Sequence, residues 1–304
     1  MKLDEYIRNT APKLQKVGVS ENLSLAIKEL RFLIRAVLRL DFQEQYKYAQ
    51  EALSAEEQNI LERAVERRLA HEPLSSISGE QAFYGRIFFL NEACLAPRPE
   101  TELLLDLALE LLEMAFAAGQ IEREQELHIA ELCCGSGAPG ISLLAELRER
   151  KYRAKLWLSD VSAKALEAAA KNCQSLGLED LVHLEQTDLI PREYPAQGFA
   201  IILFNPPYIA SAQVADLMPE VGKYEPRIAL DGGGDGLNFY RRIAVEASDL
   251  MGKNSWLIME HGTGQRAEIE KIRNTYENTK NRVIRSLARD DYAGHERVLA
   301  WQYA

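Results

Sequence analysis

The stretch Asn205-Pro206-Pro207-Tyr208 directly follows the apolar run 199–204 and offers groups that can hold a planar NH2 group. Pro206 keeps Asn205 out of the helical region, and the two prolines lack backbone N–H donors, so the corner presents carbonyl acceptors. The Asn205 side-chain oxygen and the Pro206 carbonyl can each accept one N–H, while Tyr208 packs against the flat face. Such a corner would orient a nitrogen toward an electrophilic methyl group without a dedicated general base. The alternative is a strand that simply ends at proline, with Asn205 as a turn residue.

Three further strand ends are polar or rich in glycine, and ligands of parallel α/β sheets bind at such ends. In the segment 131–137, ELCCGSG, Gly135 and Gly137 permit a tight turn and a close approach to a ligand. Asp160 follows at the distance where a carboxylate accepts the hydroxyl groups of a ribose, and Asp188 would lie beside a nucleotide base. Each has a structural alternative: a plain strand-to-helix turn, a helix cap at Asp160, and the start of a loop at Asp188.

The composition is that of a soluble globular protein of about two domains, with 304 residues, 47% apolar and 27% charged. A formal charge of −10 argues against a nucleic-acid backbone as the main partner. The four cysteines form no CxxC pair, which predicts buried thiols in a reducing compartment and no metal site. The chain has no apolar stretch of membrane-spanning length and a polar beginning, so we expect a cytoplasmic protein without membrane association.

The pattern of apolar residues changes between residues 71 and 92. Before it, apolar residues recur every three or four positions, which predicts a helical domain of four or five helices over residues 1–72. Residues 73–92 form a predicted β-hairpin linker that turns at Gly85. Residues 93–304 alternate strand and helix patterns, which predicts a parallel sheet covered on both faces. The predicted strands are 128–133, 155–159, 181–187, 200–205 and 255–260, with an antiparallel pair at 282–287 and 295–302, and the predicted helices are 140–149, 162–176 and 237–250.

Taken together, ELCCGSG, Asp160, Asp188 and NPPY resemble the Rossmann-like class I methyltransferases that use S-adenosylmethionine. The segments PRPETE at 97–102, YEPRIALDGG at 224–233 and DGLNFYRR at 235–242 are more specifically similar to release-factor glutamine N5-methyltransferases of the PrmC/HemK type. The resemblance implies an α/β fold, with a mostly parallel seven-stranded sheet, helices on both faces and a small all-α domain in front.

The resemblance also implies a reaction in translation termination. A methyl group of S-adenosylmethionine would pass to the side-chain amide N5 of the glutamine in the GGQ motif of class 1 peptide chain release factors, leaving S-adenosylhomocysteine. The helical domain would recognise the release factor, and we expect a monomer with no direct nucleic-acid partner. The implied catalytic residues are Asn205, Pro206 and Tyr208. The implied cofactor residues are Glu131, Cys133, Gly135, Ser136, Gly137, Asp160, Asp188 and Asn205. The implied substrate residues are Arg98, Glu100, Asn205, Pro206, Pro207 and Tyr208.

Several residues depart from the family pattern. Glu131 stands where the motif D-x-G-x-G-x-G begins with aspartate, and Cys133 replaces its first glycine. Cys133 therefore brings a side chain to a place where the cofactor usually meets bare backbone. Alternative readings are a divergent paralogue that methylates a ribosomal-protein glutamine or a small-molecule amide or amine, an N6-adenine nucleic-acid methyltransferase, and an inactive binding module. The acidic balance weighs against the nucleic-acid enzyme. His261 is expected to be a structural strand-end histidine.

Overall fold

The structure of the protein is a computed structural model that describes residues 1–122, 124–276 and 283–304. The chain forms two compact units. The first unit comprises Met1–Gln81 together with Met218–Tyr224, and the second comprises Ala82–Leu217 together with Glu225–Ala304. The domain boundaries at residues 72 and 92 stay a prediction, because these units are defined by packing alone.

The first unit is helical, as the spacing of its apolar residues predicts. Its helices are α1 (Leu3–Lys16), α2 (Leu23–Leu38), α3 (Phe42–Lys47), α4 (Ala55–Leu69) and α5 (Leu74–Ser78). Asn22 caps α2 by accepting the Leu25 N–H, and Ser54 forms a capping box with Glu57 at the start of α4. The apolar faces of α1, α2 and α4 meet in one core that includes Leu14, Leu30 and Leu61.

The segment Met218–Tyr224 packs with the helical unit although it lies far along the sequence. It carries the short helix α9 (Pro219–Gly222), and the Glu220 carboxylate there lies 2.8 Å from His71 Nδ1 and 3.6 Å from an Arg68 nitrogen. The Tyr224 hydroxyl donates a hydrogen bond to the Ala70 carbonyl at 2.8 Å. Part of the long loop after NPPY thus packs with the helical unit.

An exposed surface of the helical unit combines aromatic rings with arginines. This α2–α3 face consists of Arg31, Phe32, Arg35, Phe42 and Tyr46. The rings of Phe32 and Phe42 meet edge to face at 5.0 Å, and the Arg31 guanidinium lies 4.4 Å from the Tyr46 ring centroid. Phe32 is 49% and Tyr46 68% exposed, and neither arginine has a carboxylate partner among the described residues. Aromatic and arginine side chains of this kind are enriched at protein interfaces.

Within the predicted linker 73–92, the helix α5 occupies the first part, and the hairpin itself is β1 (Glu80–Phe83) and β2 (Arg86–Phe89), a separate two-stranded sheet. The second unit has a seven-stranded sheet of order β5-β4-β3-β6-β7-β9-β8. Its strands are β3 (Leu127–Leu132), β4 (Ala154–Asp160), β5 (Val182–Gln186), β6 (Phe199–Phe204), β7 (Met251–Glu260), β8 (Val283–Asp290) and β9 (Glu296–Tyr303). The first five are parallel and the last pair is antiparallel, which confirms the predicted sheet. Residue 282 of the predicted run 282–287 lies outside the described residues.

Helices cover both faces of this sheet, as predicted. They are α6 (Glu102–Ala117), α7 (Ala138–Glu149), α8 (Ala163–Ser175), α10 (Asn238–Glu246) and α11 (Arg266–Tyr276). α6 and α11 were not predicted, and α10 ends four residues before the predicted end at 250. Two apolar cores result, one containing Leu156, Leu158 and Ile201 and the other Ile202, Tyr240 and Trp301. No helix within the described ranges is long and apolar enough to cross a bilayer.

Candidate active site

The carboxyl ends of β3, β4, β5 and β6 border a cavity of about 300 Å³ in the second unit. This is the volume range of small-molecule sites, and the cavity lies where such sheets bind ligands. The predicted site residues that line it are Glu131, Cys133, Gly135, Ser136, Asp160, Asp188, Asn205 and Pro207. Gly137, Pro206, Tyr208, Arg98 and Glu100 lie outside that lining.

Glu131 is buried at the end of β3, and its Oε2 accepts the Gly140 N–H at 2.7 Å. This contact satisfies a free N–H in the first turn of α7. A Cβ on Gly140 would stand 2.7 Å from the same oxygen, so a glycine is needed there. Burial raises the pKa of the Glu131 carboxyl well above its usual value, against the lowering effect of the Gly140 N–H. Glu131 therefore anchors the helix that begins beside the cavity.

The turn after β3 has left-handed backbone at Cys133, with φ +55°, and at Gly135 and Gly137. A Cβ on Gly135 would meet open space, whereas one on Gly137 would press against Ile141 at 2.8 Å. Gly135 thus leaves room on the cavity side, and Gly137 serves the packing of α7. Cys133 occupies a conformation that costs a residue with a Cβ roughly 1–2 kcal/mol. It is half-buried against the cavity, while the other three thiols are buried as predicted.

Asp160 connects the glycine turn to the next helix. Its Oδ2 accepts the Gly135 N–H at 2.9 Å, and its Oδ1 accepts the Ser162 N–H at 2.9 Å. Ser162, in turn, caps α8 by accepting the Ala165 N–H. Asp160 lines the cavity, and each of its carboxylate oxygens can accept a further hydrogen bond. The structural and the ligand-binding interpretations of Asp160 are therefore compatible.

Asp188 follows β5 and is exposed at the rim of the cavity. Arg242 of α10 donates to its Oδ1 at 2.8 Å and to its backbone carbonyl at 3.1 Å. The hydrogen bond with Asp188 also raises the pKa of Arg242. Phe239, one turn earlier on α10, presents an aromatic ring to the cavity. This end of the cavity has a charged rim and an apolar wall that also includes Leu189.

At the NPPY corner, neither the Asn205 side chain nor the Pro206 carbonyl hydrogen bonds with the described part of the chain. The backbone at Tyr208 and Ile209, in contrast, is fixed by hydrogen bonds. Gln265 Nε2 donates to the Tyr208 carbonyl at 2.9 Å, and Ile209 pairs with the segment at Asp231. The two acceptors that could hold an amide are therefore unoccupied by the protein itself, on a corner fixed by its neighbours.

The glycine-rich segment 231–236 explains how the corner is held. A Cβ on Gly232 would stand 2.6 Å from the Pro207 carbonyl, and a Cβ on Gly236 would overlap the Tyr208 carbonyl oxygen. The Ser211 N–H donates to the Gly233 carbonyl at 2.8 Å. The segment thus supports NPPY through backbone contacts that a side chain would prevent.

The PRPETE segment makes two contacts across the second unit. Arg98 donates to the buried Glu225 at 2.5 Å, so its partner is not the exposed Glu100. Burial raises the pKa of Glu225, although Arg98 opposes the change. Thr101, which lines the cavity, donates its hydroxyl proton to Glu260 Oε2 at 2.7 Å. The segment is therefore tied both to the loop after NPPY and to the end of β7.

Glu260 is 2% exposed, and burial raises its pKa to about 7, against the hydrogen bond from Thr101 and the charge of Arg297. Burial and the proximity of Glu260 also raise the pKa of Tyr208. The Tyr240 hydroxyl donates to the Glu260 backbone carbonyl at 2.7 Å. The neighbouring His261 is fully buried with Nδ1 2.9 Å from the Gly262 carbonyl, and burial lowers its pKa, which fits a structural histidine.

Sequence reasoning missed several residues of this site, namely Thr101, Phe239, Arg242, Glu260 and Gln265. Glu260 had a usable signal, since it is a carboxylate at the carboxyl end of a predicted strand, like Asp160. Thr101, Phe239 and Arg242 also had a signal, since they lie in the segments PRPETE and DGLNFYRR, but their partners and that of Gln265 are far away along the chain.

A mostly parallel sheet of this order, with a glycine turn after β3 and an NPPY corner after β6, defines a methyltransferase of the Rossmann-like class. Comparison with known families agrees. Residues 5–79 match the PrmC N-terminal domain model, and residues 105–223 match the methyltransferase small domain model.

Similar proteins narrow the family further. The chain is 34% identical to a release factor glutamine methyltransferase of Bradyrhizobium diazoefficiens, over 87% of this chain and 84% of the relative. It is 32% identical to the one of Agrobacterium fabrum, over 95% of this chain and 93% of the relative. It is 31% identical to a bifunctional methyltransferase of Rickettsia prowazekii, of which it covers 56%. The chain belongs to the release factor glutamine methyltransferase family.

Among solved structures, the hMettl16 catalytic domain in complex with a 3′UTR hairpin is similar in fold. The TM-score is 0.53 at 13% identity, and the similarity covers 91% of both chains. At this identity the likeness concerns the fold alone.

Proposed function

We propose that this protein transfers a methyl group from S-adenosylmethionine to the side-chain amide nitrogen of a glutamine in a class 1 peptide chain release factor, in the GGQ motif. One observation carries the proposal. The NPPY corner borders the cavity and has two hydrogen-bond acceptors, the Asn205 side chain and the Pro206 carbonyl, that no described residue uses. The family to which the chain belongs supports the same reaction.

The cavity fits the methyl donor by its chemistry. Gly135 leaves open space on the backbone, Asp160 offers carboxylate acceptors for hydroxyl groups, and Phe239 offers a flat apolar wall for a base. Glu131 and Ser136 line the part near the glycine turn, where the methionine moiety would lie. When bound, the cofactor supplies an electrophilic methyl group on a sulfonium.

The NPPY corner orients the substrate nitrogen. The Asn205 oxygen and the Pro206 carbonyl each accept one N–H of the glutamine amide, so the nitrogen cannot rotate away from the cavity. Two acceptors also stabilise the positive charge that grows on the nitrogen as its lone pair is withdrawn from the amide. Tyr208 packs against the amide plane. Arg98, which is fixed by Glu225, and Glu100 flank the cavity residues Pro97 and Thr101 in the chain, which supports a role of PRPETE beside the glutamine.

The helical unit supplies recognition of the release factor as a folded protein. Its α2–α3 face offers exposed aromatic rings and arginines without carboxylate partners in the described chain, which suits a protein surface with acidic and apolar groups. A short peptide containing the glutamine would use only the second unit.

The deciding experiment incubates the purified protein with isotope-labelled S-adenosylmethionine and a class 1 release factor. A parallel reaction uses the release factor with its GGQ glutamine changed to alanine, and mass spectrometry locates the label. A methyl group on that glutamine, absent from the variant, is the expected result. Intact cofactor binding by calorimetry without transfer would direct the search to a ribosomal-protein glutamine, a small-molecule amide or the N6 of adenine. Absence of binding would indicate an inactive binding module.

A further inference from the structure

The end of β7 lies beside the NPPY corner. β6 and β7 are parallel neighbours in which Phe204 pairs with Met259. Asn205, the first residue after β6, and Glu260, the last residue of β7, follow this pair, so both stand at the same edge of the sheet. Glu260 is a buried carboxylate at this edge, and the reaction described above assigns it no role.

Side chains from three separate segments converge on Glu260. Thr101, from PRPETE, donates its hydroxyl proton to Oε2 at 2.7 Å. Tyr208, from NPPY, has its ring beside the same strand end, where a Cβ on Gly262 would stand 3.3 Å from Tyr208 Cδ2, and the charge of Glu260 helps to raise the Tyr208 pKa. The charge of Arg297, from β9, opposes the rise in the Glu260 pKa. Glu260 thus connects the two motifs to which substrate contacts are assigned, while Thr101 itself lines the cavity.

We propose that Glu260 is a positioning residue for methyl transfer, whose ionised carboxylate ties Thr101 of PRPETE to Tyr208 of NPPY and so fixes the corner that presents the amide. This proposal rests on the proposed function only where the test measures methyl transfer. The carboxylate acts through hydrogen bonds accepted from neighbouring hydroxyl groups, and the substrate itself is touched by Asn205, Pro206 and Tyr208.

The ionisation of Glu260 should then appear in the pH dependence of the rate. A protonated carboxyl loses acceptor capacity toward Thr101 and Tyr208, so the corner loosens as the pH falls. Besides these two, the charged and titratable groups of the described chain that face Glu260 include Arg297 from β9, which favours the carboxylate, and Glu100 from PRPETE, which opposes it. Tyr240 from α10 also lies there, with its hydroxyl on the Glu260 backbone carbonyl. Since the Glu260 pKa is raised to about 7, kcat should decline as the pH falls through that value.

The test compares kcat and KM across pH for the full chain and the variant Glu260→Gln. Glutamine keeps the size and one acceptor oxygen but cannot ionise, so we expect kcat to fall about tenfold or more while the decline near pH 7 disappears. KM for the methyl donor should change little. The exposed carboxylate Glu268, paired with Lys271 on α11, gives the matched control Glu268→Gln, for which we expect wild-type kinetics.

Variants at Thr101 separate positioning from folding. Thr101→Val removes the hydroxyl at nearly constant volume and should reproduce the loss of kcat, whereas Thr101→Ser keeps the hydroxyl and should recover most of it. A Glu260→Gln protein with the wild-type kcat and an unchanged decline near pH 7 would overturn the proposal.

A second measurement does not depend on the substrate. Thermal unfolding of Glu260→Gln, Tyr208→Phe and the double variant gives the coupling between the two side chains. We expect the two shifts in Tm to be clearly non-additive. Coupling without any transfer to a release factor would reject the substrate and keep the role of Glu260, whereas additive shifts would reject the role of Glu260 whatever the substrate.

Discussion

Asn205 lines the cavity with a side-chain amide that makes no hydrogen bond to the described chain. Asp160, in contrast, already holds two backbone N–H groups. The two residues should therefore respond differently to removal of their side chains. Without the Asn205 side chain, the protein would lose a contact to the substrate. Without the Asp160 side chain, it would lose both the support of the glycine turn and a contact to the methyl donor.

We expect Asn205→Ala to lower kcat about 100-fold or more with little change in the Kd of S-adenosylmethionine, because the amide loses its acceptor. Asp160→Ala should raise that Kd first, since the Gly135 turn loses its anchor. Steady-state kinetics and calorimetry on both variants measure the two effects. Equal losses of cofactor binding in both would contradict this division of roles.

Cys133 carries a Cβ in left-handed backbone, at φ +55°. Glycine at this position relieves the strain but has greater conformational freedom in the unfolded chain. The net prediction is that Cys133→Gly raises the free energy of unfolding by about 0.5–1 kcal/mol. It should also tighten cofactor binding, because the thiol no longer faces the cavity. Cys133→Ala is the matched control, since it removes the thiol and keeps the strain. Equal stability of the glycine and alanine variants by urea unfolding would count against strain.

The raised pKa of Glu260 also affects stability. Its value in the folded protein is about 7 against an ordinary 4.5, so the folded state keeps a proton that the unfolded state releases. The protonated Glu260 carboxyl contributes on the order of 3 kcal/mol to the free energy of unfolding. This contribution is fully present below about pH 4.5 and is lost as the pH rises to about 7. We expect Glu260→Gln to remove that slope from the pH dependence of urea unfolding. An unchanged slope of the free energy of unfolding against pH would show that a residue other than Glu260 titrates in this range.

The glycine-rich segment 231–236 acts as an element that supports NPPY. Gly236 has φ +77° and no room for a Cβ against the Tyr208 carbonyl, whereas a Cβ on Gly234 would meet nothing within 4 Å. These two glycines lie two residues apart in one segment. Substitutions at the two positions therefore form a matched pair, which tests whether the close approach of this backbone to NPPY is important.

We expect Gly236→Ala to lower the free energy of unfolding by about 2 kcal/mol or more and to reduce kcat, because the NPPY backbone must shift. Gly234→Ala should stay within about 0.5 kcal/mol of wild type with unchanged kinetics. Urea unfolding and steady-state kinetics test both. Similar behaviour of the two variants would show that the close approach of Gly236 to Tyr208 is unimportant.

Local patterns predicted the strands of the sheet and the residues at their ends, because strand pattern and turn residues are close in sequence. They did not predict α6, which is buried around most of its circumference and keeps only a narrow polar stripe of Glu102, Asp106, Glu110 and Glu113. They also missed α11, a mainly polar helix. Thr101 and Glu260 hydrogen bond across 159 residues, so only the fold brings them together.

At the scale of the whole molecule, the chain is acidic, with a formal charge of −10. The α2–α3 face differs from this average, since Arg31 and Arg35 have no carboxylate partner in the described chain. Under the proposed function, a folded release factor would meet this face, and an isolated glutamine peptide would not need it.

Phe32→Ala combined with Tyr46→Ala should raise KM for the full-length release factor about tenfold or more, because buried aromatic anchors dominate interfaces. The same variant should methylate a short GGQ peptide at the wild-type rate. Ile60→Ala, which removes an exposed apolar side chain of α4, is the control. Equal losses of activity on the release factor and on the peptide would indicate damage to folding. Unchanged activity on both would show that the α2–α3 face does not recognise the release factor.

The return of Met218–Tyr224 to the helical unit has a consequence for recombination. The polypeptide passes from one unit to the other three times, after Gln81, Leu217 and Tyr224. A chimaera made by a single crossover near residue 81 would receive five foreign helices and keep the old seven-residue segment that packs with them. Exchange of the helical unit between relatives therefore requires replacement of two segments of the gene. Substitutions in α4 and in Met218–Tyr224 should covary, because the two segments pack together.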